Sequence, residues 1–249
     1  MLNYVEYGKE NKYDDDIFFQ KYSQMSRSQQ GLAGAGEWET LRTLLPDFKD
    51  KRVLDLGCGY GWHCIYAMEH GASSVVGVDI SHKMLEVAKE KTHFPQVEYK
   101  CCAIEDVEFP EESFDVILSS LAFHYVADYE ILVKKIYRIL KSGGKLVFTV
   151  EHPVFTAYGT QDWYYNEKGE ILHFPVDNYY YEGKRTAVVL GEKVTKFHRT
   201  LTTYLNTLLS NGFIINHIVE PQPPEYMMDI PGMQDEMRRP MMLIVSANK

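Results

Sequence analysis

The stretch Val53–His63, VLDLGCGYGWH, indicates the fold of the chain. An apolar run is followed by glycines at positions 57, 59 and 61, and then by the bulky side chain of Trp62. The run predicts a strand and the residues after Gly61 predict a helix, which is the context in which nucleotide-binding turns occur. Because glycine has no Cβ atom, such a turn can adopt positive φ values and a ligand can approach its main chain closely. We therefore expect a ligand to lie against this turn.

Two neighbouring features indicate the kind of ligand. The dinucleotide-binding fingerprint requires a third glycine where this chain has Trp62, and no lysine of a phosphate-binding loop follows the glycines. A phosphate or pyrophosphate ligand is therefore disfavoured. Asp79 ends the next predicted strand, where a carboxylate can accept hydrogen bonds from both hydroxyls of a ribose. The pattern favours a nucleoside.

The middle of the chain, residues 52–151, alternates between strand-like and helix-like segments. The predicted strands are the runs RVLDLG, SVVGVDI, VEYKCC, FDVILSS and GKLVFTVE. Helices are predicted between them after Gly61, Ser81 and Asp128, with Ser81 as an N-cap. The Gly143–Gly144 pair is expected to stop the helix that follows Asp128. Consecutive βαβ units of this kind predict a doubly wound sheet with right-handed crossovers.

The remaining segments are predicted to complete the sheet and to cover it. A helix over residues 201–209 and the runs FIINHIVE and MMLIVSA continue the alternation, and the loop between these two strands holds five of the ten prolines. Residues 1–45 predict helices, and residues 152–198 predict an inserted, hairpin-like cap rich in tyrosine and phenylalanine. The insertion and the proline-rich loop both leave the carboxyl ends of strands, where ligands bind in such folds. We expect them to form a lid with the N-terminal helices.

Composition excludes several classes of protein. The 249 residues are 45% apolar and carry a net charge of −9, and the thinly spread basic residues disfavour a nucleic-acid substrate. No secretory h-region and no apolar window of membrane-spanning length is evident, so we expect a cytoplasmic protein without a membrane segment. The four cysteines have neither zinc-site nor disulfide-framework spacing, and we predict free thiols and no metal site.

Four motifs in order resemble those of class I S-adenosylmethionine-dependent methyltransferases, especially the small-molecule branch. They are VLDLGCGYG, VVGVDIS, AIEDVEFPEESFDVILSSLAFHYV and LKSGGKLVFTVEHP, and they cover about residues 50–152. The resemblance implies an α/β, Rossmann-like, doubly wound seven-stranded sheet of order 3-2-1-4-5-7-6, with the last strand antiparallel and an inserted β-rich cap after strand five. It divides a single methyltransferase domain, 1–249, into an N-terminal helical cap (1–45), a cofactor-binding core (46–151), an inserted lid (152–198) and a C-terminal helix with edge strands (199–249).

The resemblance also assigns roles in binding S-adenosyl-L-methionine. Asp55 would face the amino end of the methionine moiety, Asp79 would hold the ribose, and Arg27, in an element that folds across the cofactor, would meet the methionine carboxylate. The full set of implied cofactor-binding residues is Tyr22, Met25, Arg27, Asp55, Gly57, Cys58, Gly59, Asp79, Ile80, Met84, Ala103, Ile104, Glu105 and Leu121. Many relatives carry an acidic residue at the position of Ala103, where it accepts from the adenine amino group. Glu105 or the following loop is expected to substitute for it.

The residues after the fourth strand are expected to face the methyl acceptor. His124, in SLAFHYV, is the candidate general base, because its unperturbed pKa is about 6.5. A histidine that only bonds to its loop is the alternative, and His152, in EHP, is a second candidate. Most aromatic residues of the insertion are expected to pack on the sheet, with one or two lining the pocket.

The leading hypothesis is methyl transfer to a small-molecule O, N or C acceptor by in-line displacement, in a monomer or homodimer. Two alternatives keep the cofactor: a non-catalytic S-adenosylmethionine-binding protein, and an enzyme that methylates a macromolecule, which the acidic balance opposes. NAD-dependent redox chemistry is a third, and Trp62 argues against it.

Overall fold

The computed structural model describes residues 9–249 and is built around one mixed β-sheet. The strands are β1 (Arg52–Leu56), β2 (Ser74–Asp79), β3 (Val97–Cys101), β4 (Phe114–Ser120), β5 (Leu140–Glu151), β6 (Tyr164–Tyr165), β7 (Ile171–His173), β8 (Gly183–Val189), β9 (Glu192–His198), β10 (Ile214–Val219) and β11 (Met242–Asn248). The helices are α1 (Asp16–Ser23), α2 (Ser26–Gln29), α3 (Trp38–Leu44), α4 (Trp62–Glu69), α5 (His82–Lys91), α6 (Tyr129–Ile139), α7 (Pro153–Thr156), α8 (Leu201–Ser210) and α9 (Met233–Glu236).

The sheet has seven strands in the order β10-β11-β5-β4-β1-β2-β3. β11 is antiparallel to both of its neighbours, β5 and β10, whereas β5, β4, β1, β2 and β3 are parallel to one another. When the strands of this sheet are numbered along the chain, the order is 3-2-1-4-5-7-6. The predicted α/β fold and its antiparallel last strand are therefore confirmed.

Two helices begin where the sequence predicts, after Ser81, the predicted N-cap, and after Asp128, which is also a cap. Ser81 Oγ accepts a hydrogen bond from the backbone N–H of Met84 at 3.1 Å, and Asp128 Oδ1 accepts one from Ile131 at 3.0 Å. Each bond satisfies a backbone donor that has no partner within its own helix. These local bonds fix where α5 and α6 leave the carboxyl ends of β2 and β4.

Both faces of the sheet are buried. Leu54 belongs to an apolar cluster with residues of α6 and α8 on one face, while its neighbour Val53 packs in a second cluster with α3 and α4 on the other. Successive side chains of a strand point to opposite faces, so strands covered on both faces have continuous apolar runs. The ends of the strands, and not their faces, are then available to a ligand.

One predicted boundary is wrong. α6 ends at Ile139 and β5 begins at Leu140, so the Gly143–Gly144 pair lies within β5 and does not stop the helix. Leu140 is extended and fully buried, which draws the chain into the sheet earlier than expected. Gly143 has a φ of +73°, and its N–H donates to Lys249 O at 3.0 Å. The glycines therefore form an outward turn of the strand, whose register with β4 shifts there.

Three segments outside the sheet cover its carboxyl edge. α1 to α3 precede β1, the insertion after β5 forms the antiparallel hairpins β6–β7 and β8–β9, and the proline-rich loop between β10 and β11 contains α9. Side chains from all three segments line a common cavity. Within residues 9–249, no helix combines the length and apolarity needed to cross a membrane.

Candidate active site

A cavity of about 650 Å³ lies at the carboxyl ends of β1 to β5. The turns that follow these strands line it on one side. The opposite side is lined by the N-terminal segment, by Val188–Leu190 at the end of β8, and by residues of the proline-rich loop such as Pro221 and Met227. All of the predicted site residues line this cavity except Asp55 and Cys58.

The three glycines of the first turn are required for different reasons. All have positive φ, at +78° for Gly57, +53° for Gly59 and +75° for Gly61. A Cβ atom on Gly57 would collide with Ala122, and one on Gly61 would collide with the Tyr99 hydroxyl, so protein packing alone requires these two. A Cβ on Gly59 would meet no atom within 4 Å. Gly59 therefore leaves bare backbone that faces open space in the cavity.

Asp79 joins the end of β2 to the glycine turn. Its Oδ2 accepts a hydrogen bond from the backbone N–H of Gly59 at 2.8 Å, and its Oδ1 accepts one from Ser81 at 2.9 Å. Burial raises the pKa of the Asp79 carboxyl to about 6, although these two backbone bonds oppose the rise. Each oxygen keeps further lone pairs, so the carboxylate can accept hydroxyl groups from a ligand.

Asp55 and Cys58 lie beneath the turn and do not line the main cavity. Asp55 is 1% exposed, Cys64 Sγ donates to its Oδ2 at 3.4 Å, and its Oδ1 is buried without a hydrogen-bond partner among the described residues. Burial raises the pKa of its carboxyl to about 7. Cys58 lines a smaller cavity of about 80 Å³ that shares Gly57 and Gly59 with the main one. The structure therefore does not place Asp55 within direct reach of the main cavity.

The buried carboxyl of Asp55 is expected to make the protein less stable as the pH rises. In an unfolded chain its pKa is about 3.9, so between about pH 4 and pH 7 the folded protein holds a proton that the unfolded chain releases. The free energy of unfolding should fall across this window. Urea denaturation at about pH 5 and about pH 8 measures the slope, which Asp55→Asn should reduce. An unchanged slope in the variant would contradict the assignment.

Apolar side chains line the cavity after β2 and β3. Ile80, Met84 and Ile104 lie in these two connections. Ala103 lines the same wall and offers no polar side-chain atom, whereas Glu105, two residues later, also reaches the cavity, and burial raises the pKa of its carboxyl. Glu105 is thus positioned on the wall where the resemblance implies an acidic adenine contact.

Leu121 has a backbone conformation that is unusual for its residue type. Its φ is +54°, and its N–H is held by the backbone oxygen of Thr149 at 2.9 Å and by Thr149 Oγ1 at 3.0 Å. A left-handed conformation in a leucine costs of the order of 1–2 kcal/mol, which the surrounding structure must supply. The two bonds from β5 hold this residue at the edge of the cavity, at the end of β4.

The N-terminal segment is fastened across the cavity by charged groups. Arg27 Nη2 donates to both carboxylate oxygens of Glu37, at 2.7 and 2.9 Å, and Glu37 is buried. Asp14 accepts hydrogen bonds from Ser81 Oγ at 2.6 Å and from the N–H of Lys83 at 3.1 Å. Arg27 lines the cavity, but its charge already has the partner Glu37, which the sequence analysis missed.

The part of the cavity at the ends of β4 and β5 contains a buried polar cluster that the sequence analysis also missed. We call it the acceptor cluster: Glu151 at the end of β5, Lys196 on β9, Gln161, and His124 after β4. Lys196 Nζ donates to Glu151 Oε1 at 2.5 Å and to Gln161 Oε1 at 2.9 Å, and Gln161 Nε2 donates to Glu151 Oε2 at 2.6 Å. Burial would raise the pKa of Glu151, but the positive charge of Lys196 and the hydrogen bonds from Lys196 and Gln161 oppose it, and that pKa lies below its usual range.

His124 is held in one orientation by the strand beside it. The backbone N–H of Glu151 donates to His124 Nδ1 at 3.4 Å. This bond uses the Nδ1 lone pair, so the ring proton of the neutral imidazole is on Nε2. Burial lowers the pKa of His124 to about 4. The geometry therefore favours a neutral hydrogen-bond donor over the general base that the sequence predicts at this position.

Other sequence-predicted features lie outside the cavity. His152 does not line it, because its Nδ1 caps α7 by accepting from the N–H of Val154 at 3.1 Å. None of the aromatic residues in 162–181 lines it either, and Tyr180 and Tyr181 are exposed. Phe155, near the start of the insertion, does line the cavity, so the expectation of one or two aromatic residues there holds for Phe155 and not for 162–181. Across residues 9–249, no group of three or more His, Cys, Asp or Glu side chains is arranged to hold a metal ion.

Comparison with known proteins gives a consistent family. Residues 54–148 match the model of a methyltransferase domain. A solved structure assigned as an S-adenosylmethionine-dependent methyltransferase from Listeria monocytogenes is 57% identical, with a TM-score of 0.84, over 88% of this chain and 99% of that one. Another such methyltransferase, from Mesorhizobium loti, is 40% identical, with a TM-score of 0.81, over 88% of this chain and all of that one.

A curated enzyme resembles part of the chain. The ubiquinone biosynthesis O-methyltransferase of Coxiella burnetii is 36% identical over 112 residues, which are 44% of this chain and 47% of that protein. The match therefore spans about half the length of that enzyme.

Proposed function

Because the chain belongs to the class I S-adenosylmethionine-dependent methyltransferases, we propose that it methylates a small molecule enclosed in the cavity. The observation that carries this proposal is the covering of the cavity by three segments of the chain. The cavity continues from the glycine turn to the carboxyl ends of β4 and β5. The N-terminal segment, the β8–β9 hairpin and the proline-rich loop lie over it. A pocket covered by three segments suits a small acceptor, whereas a macromolecule would need an open surface.

The half of the cavity beside β1, β2 and β3 suits the nucleoside and amino-acid parts of S-adenosylmethionine. The bare backbone of Gly59 faces open space, Asp79 offers carboxylate oxygens beside it, and Ile80 and Met84 supply an apolar wall. We propose that Asp79 holds the ribose, that Ile104 and Glu105 flank the adenine, and that Arg27 with Tyr22 and Met25 closes over the cofactor.

The chemistry of the donor decides what the protein must contribute. Bound S-adenosylmethionine supplies a methyl group on a positively charged sulfur, which is an excellent leaving group. The side chains of this chain then need to orient the acceptor in line with that methyl and to exclude water. The apolar walls formed by residues such as Phe155, Met227 and Ile230 suit both tasks.

The partial match to the Coxiella enzyme supports a small-molecule acceptor. Since that match leaves more than half of this chain outside it, it supports the reaction class and says little about the acceptor. The covering segments, which shape the acceptor half of the cavity, carry the specificity of this chain.

Isotope labelling tests the proposal. The purified protein is incubated with S-adenosylmethionine labelled in its methyl group and with a cell extract, which is then separated into low-molecular-mass and macromolecular fractions. We expect the label in a low-molecular-mass product other than S-adenosylmethionine itself, together with formation of S-adenosylhomocysteine. Label that enters protein or nucleic acid instead would support the macromolecular alternative. Cofactor binding without any labelled product would support a non-catalytic role.

A further inference from the structure

Resting on the small-molecule reaction proposed above, we propose that the acceptor cluster recognises the methyl acceptor, and that this acceptor is an uncharged, largely apolar molecule with a hydroxyl group. The cluster lies at the ends of β4 and β5, beside Leu121, and all of its four members line the cavity. It is therefore separate from the cofactor half, which lies at the ends of β1, β2 and β3.

The cluster has unused hydrogen-bonding capacity. Lys196 Nζ carries three protons and donates two of them, to Glu151 and Gln161. His124 accepts from the N–H of Glu151 through Nδ1, so its Nε2 carries the ring proton and can donate it. Each Glu151 oxygen accepts one side-chain bond and has a further lone pair. A ligand group that can both donate and accept, as a hydroxyl does, would satisfy these atoms together.

Burial makes this capacity significant. The side chains of Lys196 and Glu151 are only 3% and 13% exposed. Hydrogen bonds in such surroundings are stronger than in water, and a buried donor without a partner is costly. The cluster is also anchored in one position, because Glu151 ends a strand of the main sheet, Lys196 lies on a strand of the covering hairpin, and side-chain hydrogen bonds join both to Gln161. A fixed array of this kind selects one geometry of ligand.

The charges of the cluster exclude an ionic acceptor. The positive charge of Lys196 and the negative charge of Glu151 form one buried pair and cancel. A phosphate or carboxylate placed there would have only a lysine that is already paired, and an ammonium would have only a carboxylate that is already paired. Adding a third charge to a buried, balanced pair is unfavourable. An uncharged polar group adds none.

The wall beyond the cluster predicts an apolar body for the acceptor. Met227, Met233, Met241 and Met242 line the cavity there, and Ile230 lies among them. Glu236 lines it too, but its charge is already paired with Arg239 at 2.7 Å. Methionine side chains are flexible and polarizable, so they pack closely against apolar ligands of irregular shape. The combination of such a wall with one neutral polar cluster fits a molecule that is apolar except for a hydroxyl group.

The labelling reaction described above provides the first test. The low-molecular-mass fraction is passed over anion and cation exchangers at neutral pH, and the labelled product and its unmethylated precursor are identified by mass spectrometry. We expect both in the unretained fraction, with a hydroxyl on the precursor. A retained, charged precursor would overturn this inference and leave the small-molecule function intact. Absence of label from all low-molecular-mass products would overturn both.

Kinetics with the precursor so identified provide the second test. The double variant Glu151→Gln, Lys196→Met removes both charges together, so neither is left unpaired. We expect its KM for the acceptor to rise by about 10- to 100-fold, the effect of losing hydrogen bonds to charged groups, with unchanged affinity for S-adenosylhomocysteine. His124→Gln should retain more activity than His124→Phe, because the amide can still donate.

A matched control uses an ion pair at the other end of the sheet. Lys141 Nζ contacts Asp115 Oδ1 at 2.9 Å, outside the cavity, and the double variant Asp115→Asn, Lys141→Met should leave the KM for the acceptor unchanged. If the Glu151 and Lys196 double variant also has the wild-type KM, the cluster does not recognise the acceptor.

Discussion

Replacing Gly59 with leucine is expected to abolish cofactor binding while the protein remains folded. The Cβ of residue 59 would meet no protein atom within 4 Å, so the new side chain would extend into the cavity and occupy space assigned to the methionine part of the cofactor. We expect the affinity for S-adenosylhomocysteine, measured by calorimetry, to fall at least about 100-fold, which corresponds to about 2.8 kcal/mol. The positive φ of +53° adds about 1–2 kcal/mol of strain.

Gly143→Leu is the matched control for this experiment. Gly143 also has a positive φ, at +73°, and lies away from the cavity, and a Cβ atom on it would likewise meet no atom within 4 Å. Both variants should therefore lose similar stability in urea denaturation, and only Gly59→Leu should lose cofactor binding. Binding by Gly59→Leu within about tenfold of the wild type would show that the cofactor does not lie against this turn.

The two other glycines of the turn would not make this distinction. Substitution of Gly57 or Gly61 would force collisions with Ala122 and with the Tyr99 hydroxyl, so a loss of binding could follow from misfolding. Sequence spacing presents the three glycines as one motif. The structure separates the position that leaves room for a ligand from the two that leave room for the protein.

The core of the fold could be predicted because its signals are local. Strands buried on both faces give continuous apolar runs, and caps such as Ser81 and Asp128 act within three residues of themselves. The error at the Gly143–Gly144 pair has a non-local cause. Leu140 is drawn into the sheet by its pairing with Phe114 on β4, and this contact is not visible in the spacing of the glycines.

The cofactor half of the site could likewise be predicted from local signals, whereas the acceptor half could not. The cofactor half is formed by turns that directly follow strands, so Gly59 and Asp79 could be found from their positions in the motifs. The acceptor half joins Glu151 and Gln161 to Lys196, which lies 45 residues after Glu151 and meets it only when the insertion folds back. One signal was available: Glu151 is a charged residue that directly follows the mostly apolar run LVFTV at the end of β5. Its partners could not be identified without the path of the insertion.

Arg199, the first residue after the insertion, holds the loop that carries His124, and Arg199→Met is expected to destabilise the protein by about 2–5 kcal/mol. Its guanidinium is buried and donates to the backbone oxygens of Val126 and of Ala127, the latter at 3.0 Å, and more weakly to that of Phe123. These oxygens belong to the loop that carries His124. Methionine has a similar volume but no donor, so buried carbonyl groups would lose their partners.

The same variant should separate positioning from stability. At a temperature where Arg199→Met is folded, we expect a higher KM for the acceptor and a lower kcat, because the loop with His124 is displaced. Its affinity for S-adenosylhomocysteine should equal that of the wild type. Arg199→Lys keeps the charge but not the planar fork, so its kinetic constants should lie between those of the wild type and those of Arg199→Met. Arg42→Met, at an exposed pair with Glu39, controls for the loss of an arginine and should change stability by less than about 1 kcal/mol. If Arg199→Met lowers stability and leaves both kinetic constants unchanged, Arg199 supports the fold and does not position the acceptor loop.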